Sequence, residues 1–228
     1  MTPDEPDREP ADEPDREPAR DAAARDPARG GPASVPDFLT IGHSNRSLEE
    51  FIDLLRDSGA EVVVDVRKLP GSNANPQFNE DVLGDALAAV GIELRRLDGL
   101  TGRRPVSRDV PFEVNAWWEN RSFHNYADHA LGAEFAADIA VLLDWGDARR
   151  CAVMCSEAVW WRCHRRIIAD YLLAHDREVL HVLGPGQTAE AVLSSGAVVE
   201  RAPGGSVGSV PAGDRGDSAD VRVTYPEQ

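Results

Sequence analysis

Two thiols, an imidazole, a carboxylate and two guanidiniums crowd into one short stretch of this sequence, Cys155-Ser156-Glu157 followed by Trp161-Arg162-Cys163-His164-Arg165. A thiol beside a base is the pairing that nucleophilic catalysis at sulfur requires, because the thiolate is the reactive form. The spacing predicts Cys163 in the first turn of a helix running from about Trp160 to His175. The positive end of the helix dipole and the neighbouring cations would favour a thiolate there. Cys155 reads equally well as a small buried hydrophobe at a strand end. The two cysteines also form a candidate redox pair.

Three further groups belong with them. His43 follows a short apolar run, and Glu157 follows Cys155. Asp65 interrupts the otherwise apolar Val62-Val63-Val64-Asp65-Val66. A buried carboxylate needs a partner, so Asp65 is either a proton carrier or the buried mate of Arg67. The candidate catalytic set is therefore Cys155, Glu157, Cys163, His164, Asp65 and His43. Ser44, Arg46, Arg67, Arg103, Arg104 and Arg165 are the candidates for holding a small anionic substrate, guanidiniums being suited to forked hydrogen bonds. The bland alternative for the arginines of the 98–108 loop is a solvated surface.

A metal is the competing chemistry. Cys155, Cys163, His164 and His43 make a soft N/S donor set for zinc or iron. Against it, Cys-x7-Cys-His is not a zinc-finger spacing. Adjacent residues on a helix also point about 100° apart, which sets Cys163 and His164 at odds as ligands of one ion. No Walker loop, Gly-x-Gly-x-x-Gly turn or His-Glu-x-x-His helix occurs.

The elements that must position these groups alternate. Phe38 to Ile41 is an apolar run, then Ser47-Leu48-Glu49-Glu50 has the pattern of a capping box opening a helix that Gly59 ends. Val62 to Val66 reads as a strand covered on both faces. Asn79 to Gly91 predicts a second helix and Ile92 to Leu97 a third strand. Leu131, Phe135, Ile139 and Leu142 form a helical stripe, Cys151 to Cys155 a buried strand, and Val179 to Leu183 the last clear strand, with a short helix expected near 187–194. The fold class expected is α/β: a single three-layer domain with a mostly parallel sheet of about five strands and helices on both faces. In such sheets ligands sit beyond the carboxyl ends of the strands, where the reactive residues fall.

The chain has 228 residues, 24 Lys+Arg against 40 Asp+Glu, and a net charge of −16. Residues 1–36 are acidic and proline-rich, with the block Glu-Pro-Asp-Arg-Glu-Pro-Ala at 5–11 and again at 13–19. They are expected to be a disordered tail, since they carry too little apolar surface to offset ordering. Residues 37–200 are expected to form the domain, and 201–228, rich in Gly, Ser and Asp, a flexible C-terminal tail. The acidity argues against nucleic acid and against an anionic membrane surface as partners. No apolar run is long enough to span a bilayer, no secretory signal is visible, and three cysteines do not make a disulfide framework. The expected compartment is the reducing cytoplasm.

With these residues in view, the chain resembles the bacterial family known as domain of unknown function 488, over about 38–183. The motifs that carry the resemblance are Thr40-Ile41-Gly42-His43-Ser44, Asp65-Val66-Arg67 with Pro70-Gly71-Ser72, Asn75-Pro76-Gln77-Phe78-Asn79, Gly102-Arg103-Arg104, Tyr126-Ala127-Asp128, Met154-Cys155-Ser156-Glu157 and Trp161-Arg162-Cys163-His164-Arg165. The resemblance implies a cysteine-centred site but no established reaction. Two departures occur: Asn73-Ala74 stands where the family tends to be basic, and Thr101 where Gly is common. The layout of a strand ending in Asp-Val-Arg and a later one ending in Cys is similar to rhodanese-like sulfur-transfer domains, although Cys155-Ser156-Glu157-Ala158-Val159 does not reproduce their loop.

The function expected is an enzyme with a Cys/His/Glu/Asp site at the sheet edge, acting on a nucleotide-like or phosphorylated small anion. The alternatives are a nucleotide or nucleic-acid-end binding module, with Trp117, Trp118, Trp160 and Trp161 as stacking surfaces, or a Cys/His metalloprotein.

Overall fold

A computed structural model describes residues 37–71, 73–201 and 221–227. The expected tail at 1–36 lies outside the described residues. Five parallel strands form the sheet: β1 (Phe38–Gly42), β2 (Val62–Asp65), β3 (Glu93–Arg96), β4 (Cys151–Cys155) and β5 (Val179–Gly184). A sixth, β6 (Gln187–Glu190), adds antiparallel to β5, giving the order β3-β2-β4-β1-β5-β6. The helices are α1 (Leu48–Asp57), α2 (Glu80–Ala88), α3 (Arg121–Ala130), α4 (Ala133–Ala148) and α5 (Arg165–Ala174).

Period-two alternation divides the strand side chains between two cores. Leu39, Ile41, Val63, Ala152 and Met154 pack with Phe51, Leu54 and Leu55 of α1 and Leu83 and Leu87 of α2. Phe38, Val62, Val64, Val153 and Cys155 pack on the other face with Phe123 and Tyr126 of α3, Phe135 and Ile139 of α4, and Ile167 and Ile168 of α5. This is the expected three-layer α/β arrangement. The start of α1 is set locally: Ser47 accepts from the Glu50 amide at 3.1 Å.

One expectation fails at the C-terminal end, and a second fails in part. Residues 187–190 are strand rather than helix. Pro185-Gly186 folds the chain back on β5, with proline fixing its own φ and Gly186 taking φ +64°. The expected flexible tail also contains a strand: β8 (Val221–Thr224) pairs antiparallel with β7 (Val198–Arg201). Val223 and the adjoining Tyr225 are fully buried, and the Tyr225 hydroxyl donates to Asp170 of α5 at 2.8 Å. The alternation Val221-Arg222-Val223-Thr224-Tyr225 carries the strand signal. Averaging over 201–228 buries that signal in Gly-rich composition.

The strand order decides what meets at the carboxyl edge. Inserting β4 between β2 and β1 puts Gly42 opposite Cys155 and Asp65 opposite Met154. The ladder continues past the strands: the His43 amide donates to Cys155 O and the Val66 amide to Met154 O, both at 3.0 Å. Among the described residues no helix is long and apolar enough to cross a membrane.

Candidate functional site

Cys155 ends β4, and Cys163 lies just before α5. The intervening chain makes one 3-10 turn, Trp160–Arg162, which closes when the Cys163 amide donates to Trp160 O at 3.1 Å. Cys163 is therefore extended, at φ −133° and ψ 144°, and His164 is the N-cap residue of α5. The expectation of Cys163 within the first helical turn is corrected by this turn. Extended geometry swings the Cys163 side chain toward the strand end, and its Sγ lies 2.7 Å from Cys155 Sγ. Both cysteines are reduced and only 3% exposed.

Three groups polarise the sulfur pair. The Glu157 amide points at Cys155 Sγ from 3.3 Å. Arg165 donates its Nε–H to Cys163 Sγ at 3.3 Å and braces its Nη2 on Glu157 O at 2.6 Å. His164 approaches with Nδ1 3.6 Å from Cys163 Sγ, while its Nε2 meets Val66 O at 3.1 Å. A carbonyl only accepts, so Nε2 carries the proton and Nδ1 faces the sulfur. Burial alone raises the Cys163 thiol, but the bond from Cys155, His164 and Arg165 outweigh it and hold Cys163 well below the usual thiol range. Burial, and then donation to Cys163, push Cys155 well above that range. Cys151, at the far end of β4, is pushed up by burial to about 11.

The pair lies in the wall of a cavity of about 250 Å³. Of the sequence candidates, Cys155, Glu157, Cys163, His164, Arg67 and Arg103 line it together. Lys68 and Arg162, strand-end cations in the sequence, also line it, as do Ser122, Phe123, Tyr126 and Ser156, which sequence reasoning did not assign to a site. Tyr126 had a signal in its motif. Its hydroxyl donates to Leu100 O at 2.7 Å, and its ring centre lies 4.9 Å from that of His164. Lys68 and Arg103 are exposed and have no hydrogen bond or ion pair among the described residues.

The remaining candidates stand outside the cavity lining. Asp65 spends both carboxylate oxygens on Arg67, at 2.6–2.9 Å, and Arg67 also donates to Phe78 O at 2.8 Å. His43 stacks on Phe78 at 4.2 Å, with Nδ1 2.9 Å from Ser44 O and Nε2 3.5 Å from Arg67 Nη1; burial lowers its pKa. Ser44 bends the chain at φ +50°. Arg46 closes the ends of β1 and β5 by donating to Gly42 O and Leu183 O. Arg104 donates to Thr101 O and Asp98 O, at 2.8 and 2.6 Å. Arg165 lies behind the sulfurs. None of the four tryptophans lines the cavity: Trp118 packs on Phe123, Trp117 lies edge-on to Trp118, Trp160 stacks on His181 at 4.2 Å, and Trp161 lies edge-on to Trp160.

The sequence profile of the family described as domain of unknown function DUF488 matches residues 47–172, more than half of the chain. The chain belongs to this family. No curated protein and no solved structure matches it. Within the DUF488 domain the matched stretch contains both cysteines, Glu157, His164 and Arg165, whereas His43 and Ser44 precede it.

The DUF488 cysteines also bear on metal. The ligand atoms of Cys155, Cys163 and His164 all lie within 4.8 Å of one another, because Cys163 is extended and the helical argument against their convergence lapses. Tetrahedral zinc with bonds of about 2.3 Å needs sulfurs about 3.8 Å apart. Here they are 2.7 Å apart, and a guanidinium already stands at Cys163. His43 does not join the group. The donors suit zinc or iron, but their present spacing does not.

Proposed function

We propose that this chain is an enzyme whose nucleophile is the Cys163 thiolate, acting on a small anion. One observation carries the reading: Arg165 is 1% exposed, and among the described residues no carboxylate pairs with it. A buried guanidinium needs a counter-charge. The group its Nε meets is Cys163 Sγ. An ionised sulfur pair supplies the charge, with the remaining proton on Cys155.

The roles follow from the atoms. Cys163 Sγ attacks an electrophilic atom of the substrate. His164, fixed through Nε2 on Val66 O, exchanges a proton at Nδ1 with the thiol or the leaving group. Lys68 and Arg103, at the cavity, hold the anionic part of the substrate, and Arg67 supplies a cation fixed by Asp65. Phosphorylated and nucleotide-like anions fit this charge pattern. The Asp65 and His43 side chains support Arg67 rather than touch the reacting atoms.

The test is alkylation by iodoacetamide across pH, with each cysteine mapped by mass spectrometry. Cys163 should react with a midpoint below that of an ordinary thiol, and Cys151 slowest. A Cys163 profile that follows Cys151 would overturn the proposal.

A second reading rests on the convergence of Cys155, Cys163 and His164: a zinc or iron site reached once the sulfurs separate. Elemental analysis of the purified chain decides it, since one bound metal per chain would displace the thiolate reading.

A further inference from the structure

We infer that Cys155 and Cys163 form a working dithiol–disulfide couple, with Cys163 the attacking and Cys155 the resolving thiol, so that the substrate is a small anion bearing a reducible O–O or S–S bond. The inference rests on the thiolate reading above and deepens it.

The separation of the sulfurs is the first ground. At 2.7 Å they lie inside van der Waals contact, and a disulfide of about 2.05 Å is reached by a further approach of about 0.7 Å. The approach is built into the backbone. β4 fixes Cys155 by its ladder to β1 and β2, while the 3-10 turn and the extended Cys163 deliver the second sulfur to the same point. Both sulfurs border one cavity, so a group attached to Cys163 is within reach of Cys155.

The asymmetry of the surroundings is the second ground. Cys163 receives the guanidinium and faces the imidazole, which favours the anion that attacks first. Cys155 accepts from the Glu157 amide and also feels the Arg165 charge, but burial and donation to Cys163 outweigh both and keep its proton on, the setting of a thiol that reacts second. The third cysteine, Cys151, has neither neighbour; it is packed in the core and its thiol donates to Arg149 O.

The steps balance. The Cys163 thiolate attacks atom X of an X–Y bond; S–X forms, X–Y breaks, and Y leaves with its electron pair and the proton held at His164 Nδ1. Cys155 Sγ then attacks Cys163 Sγ; S–S forms, S–X breaks, and X leaves with the proton of Cys155. Two electrons have passed from the two thiols to X–Y, which is released as XH and YH. A dithiol reductant, itself oxidised to a disulfide, restores both cysteines and returns the proton to His164.

The experiment uses the full reduced chain, with hydrogen peroxide and, separately, a small symmetrical disulfide as probes, each at one equivalent. Intact mass and peptide mapping should show the loss of two hydrogens and a Cys155–Cys163 link. In Cys155→Ser the same probes should leave Cys163 as a sulfenic acid trapped by dimedone, or as a mixed disulfide, at about tenfold or more above wild type. In Cys163→Ser, Cys155 should remain unmodified. A stable adduct on Cys163 of the wild-type chain, with Cys155 still open to alkylation, would sink the inference while leaving the thiolate reading intact. Loss of the depressed alkylation midpoint of Cys163 would remove both.

Discussion

The backbone of Gly102 lies against the imidazole of His164 so closely that a β-carbon at position 102 would come 2.8 Å from Nδ1. The contact holds the ring between Val66 O and the sulfur of Cys163. Gly102→Ala should push Nδ1 away from Cys163 while leaving the strands and helices in place. We expect Cys163 alkylation near neutral pH to slow by about tenfold, equivalent to about 1.4 kcal/mol. Iodoacetamide kinetics on the variant, with a circular dichroism melt as control, measure both effects.

Arg165→Met removes the cation beside the sulfur but keeps much of the side-chain volume. The Cys163 thiolate then loses its buried counter-charge, and its titration midpoint should rise by about one unit or more. Thiolate absorbance in the ultraviolet, followed across pH, reads this directly. The sign for stability follows from the depressed thiol. In the wild-type chain the thiolate adds stability above the unfolded thiol pKa, and this is lost as pH falls through the folded value. In Arg165→Met that dependence should flatten.

Asp65 and Arg67 are 2% and 5% exposed and meet at 2.6 Å. Asp65→Ala leaves the guanidinium buried with Phe78 O and, at 3.5 Å, His43 Nε2 as its remaining acceptors among the described residues. Breaking a buried pair in this way costs about 3–5 kcal/mol. The cost should appear in the urea midpoint. If Asp65 instead took part in proton transfer, its loss would change the pH profile of Cys163 alkylation, which we expect to keep its midpoint.

Asp170 of α5 accepts from the Ser194 amide and the Tyr225 hydroxyl, yet burial raises its pKa to about 6. A raised carboxyl favours folding when protonated. Stability should therefore fall as pH rises from about 4 to about 6, by about 3 kcal/mol at most. Asp170→Asn keeps the shape and removes the titration. The difference between wild type and variant in urea midpoint should disappear at the acid end of that window and open toward neutral pH.

Tyr225 is fully buried and donates to Asp170, although it lies far along a Gly-rich stretch. Tyr225→Ala should cost about 3–5 kcal/mol, as truncation of a buried aromatic does. A urea midpoint unchanged from wild type would show that β8 contributes nothing to the fold.

What was legible in the sequence is local. The capping pattern at Ser47, the apolar run into Asp65, and the run into Cys155 each depend on neighbours within a few residues, and each element formed where its pattern placed it. The strand-end rule pointed to the carboxyl edge of the sheet, and the cysteines, Glu157 and His164 share one cavity there. What remained hidden depended on distant partners. Arg46 read as an anion holder, but one carbonyl it serves, Leu183 O, belongs to a distant strand. Cys163 read as helical because the stripe Ile167, Ile168 and Leu172 extrapolates back to about Trp160, and a 3-10 turn ending on Trp160 O made it extended instead. That backbone change brings its sulfur to Cys155. Composition and spacing determined which residues could do chemistry. The 3-10 turn before α5 and the insertion of β4 between β2 and β1, a long-range pairing that no local pattern encodes, decided which of them meet.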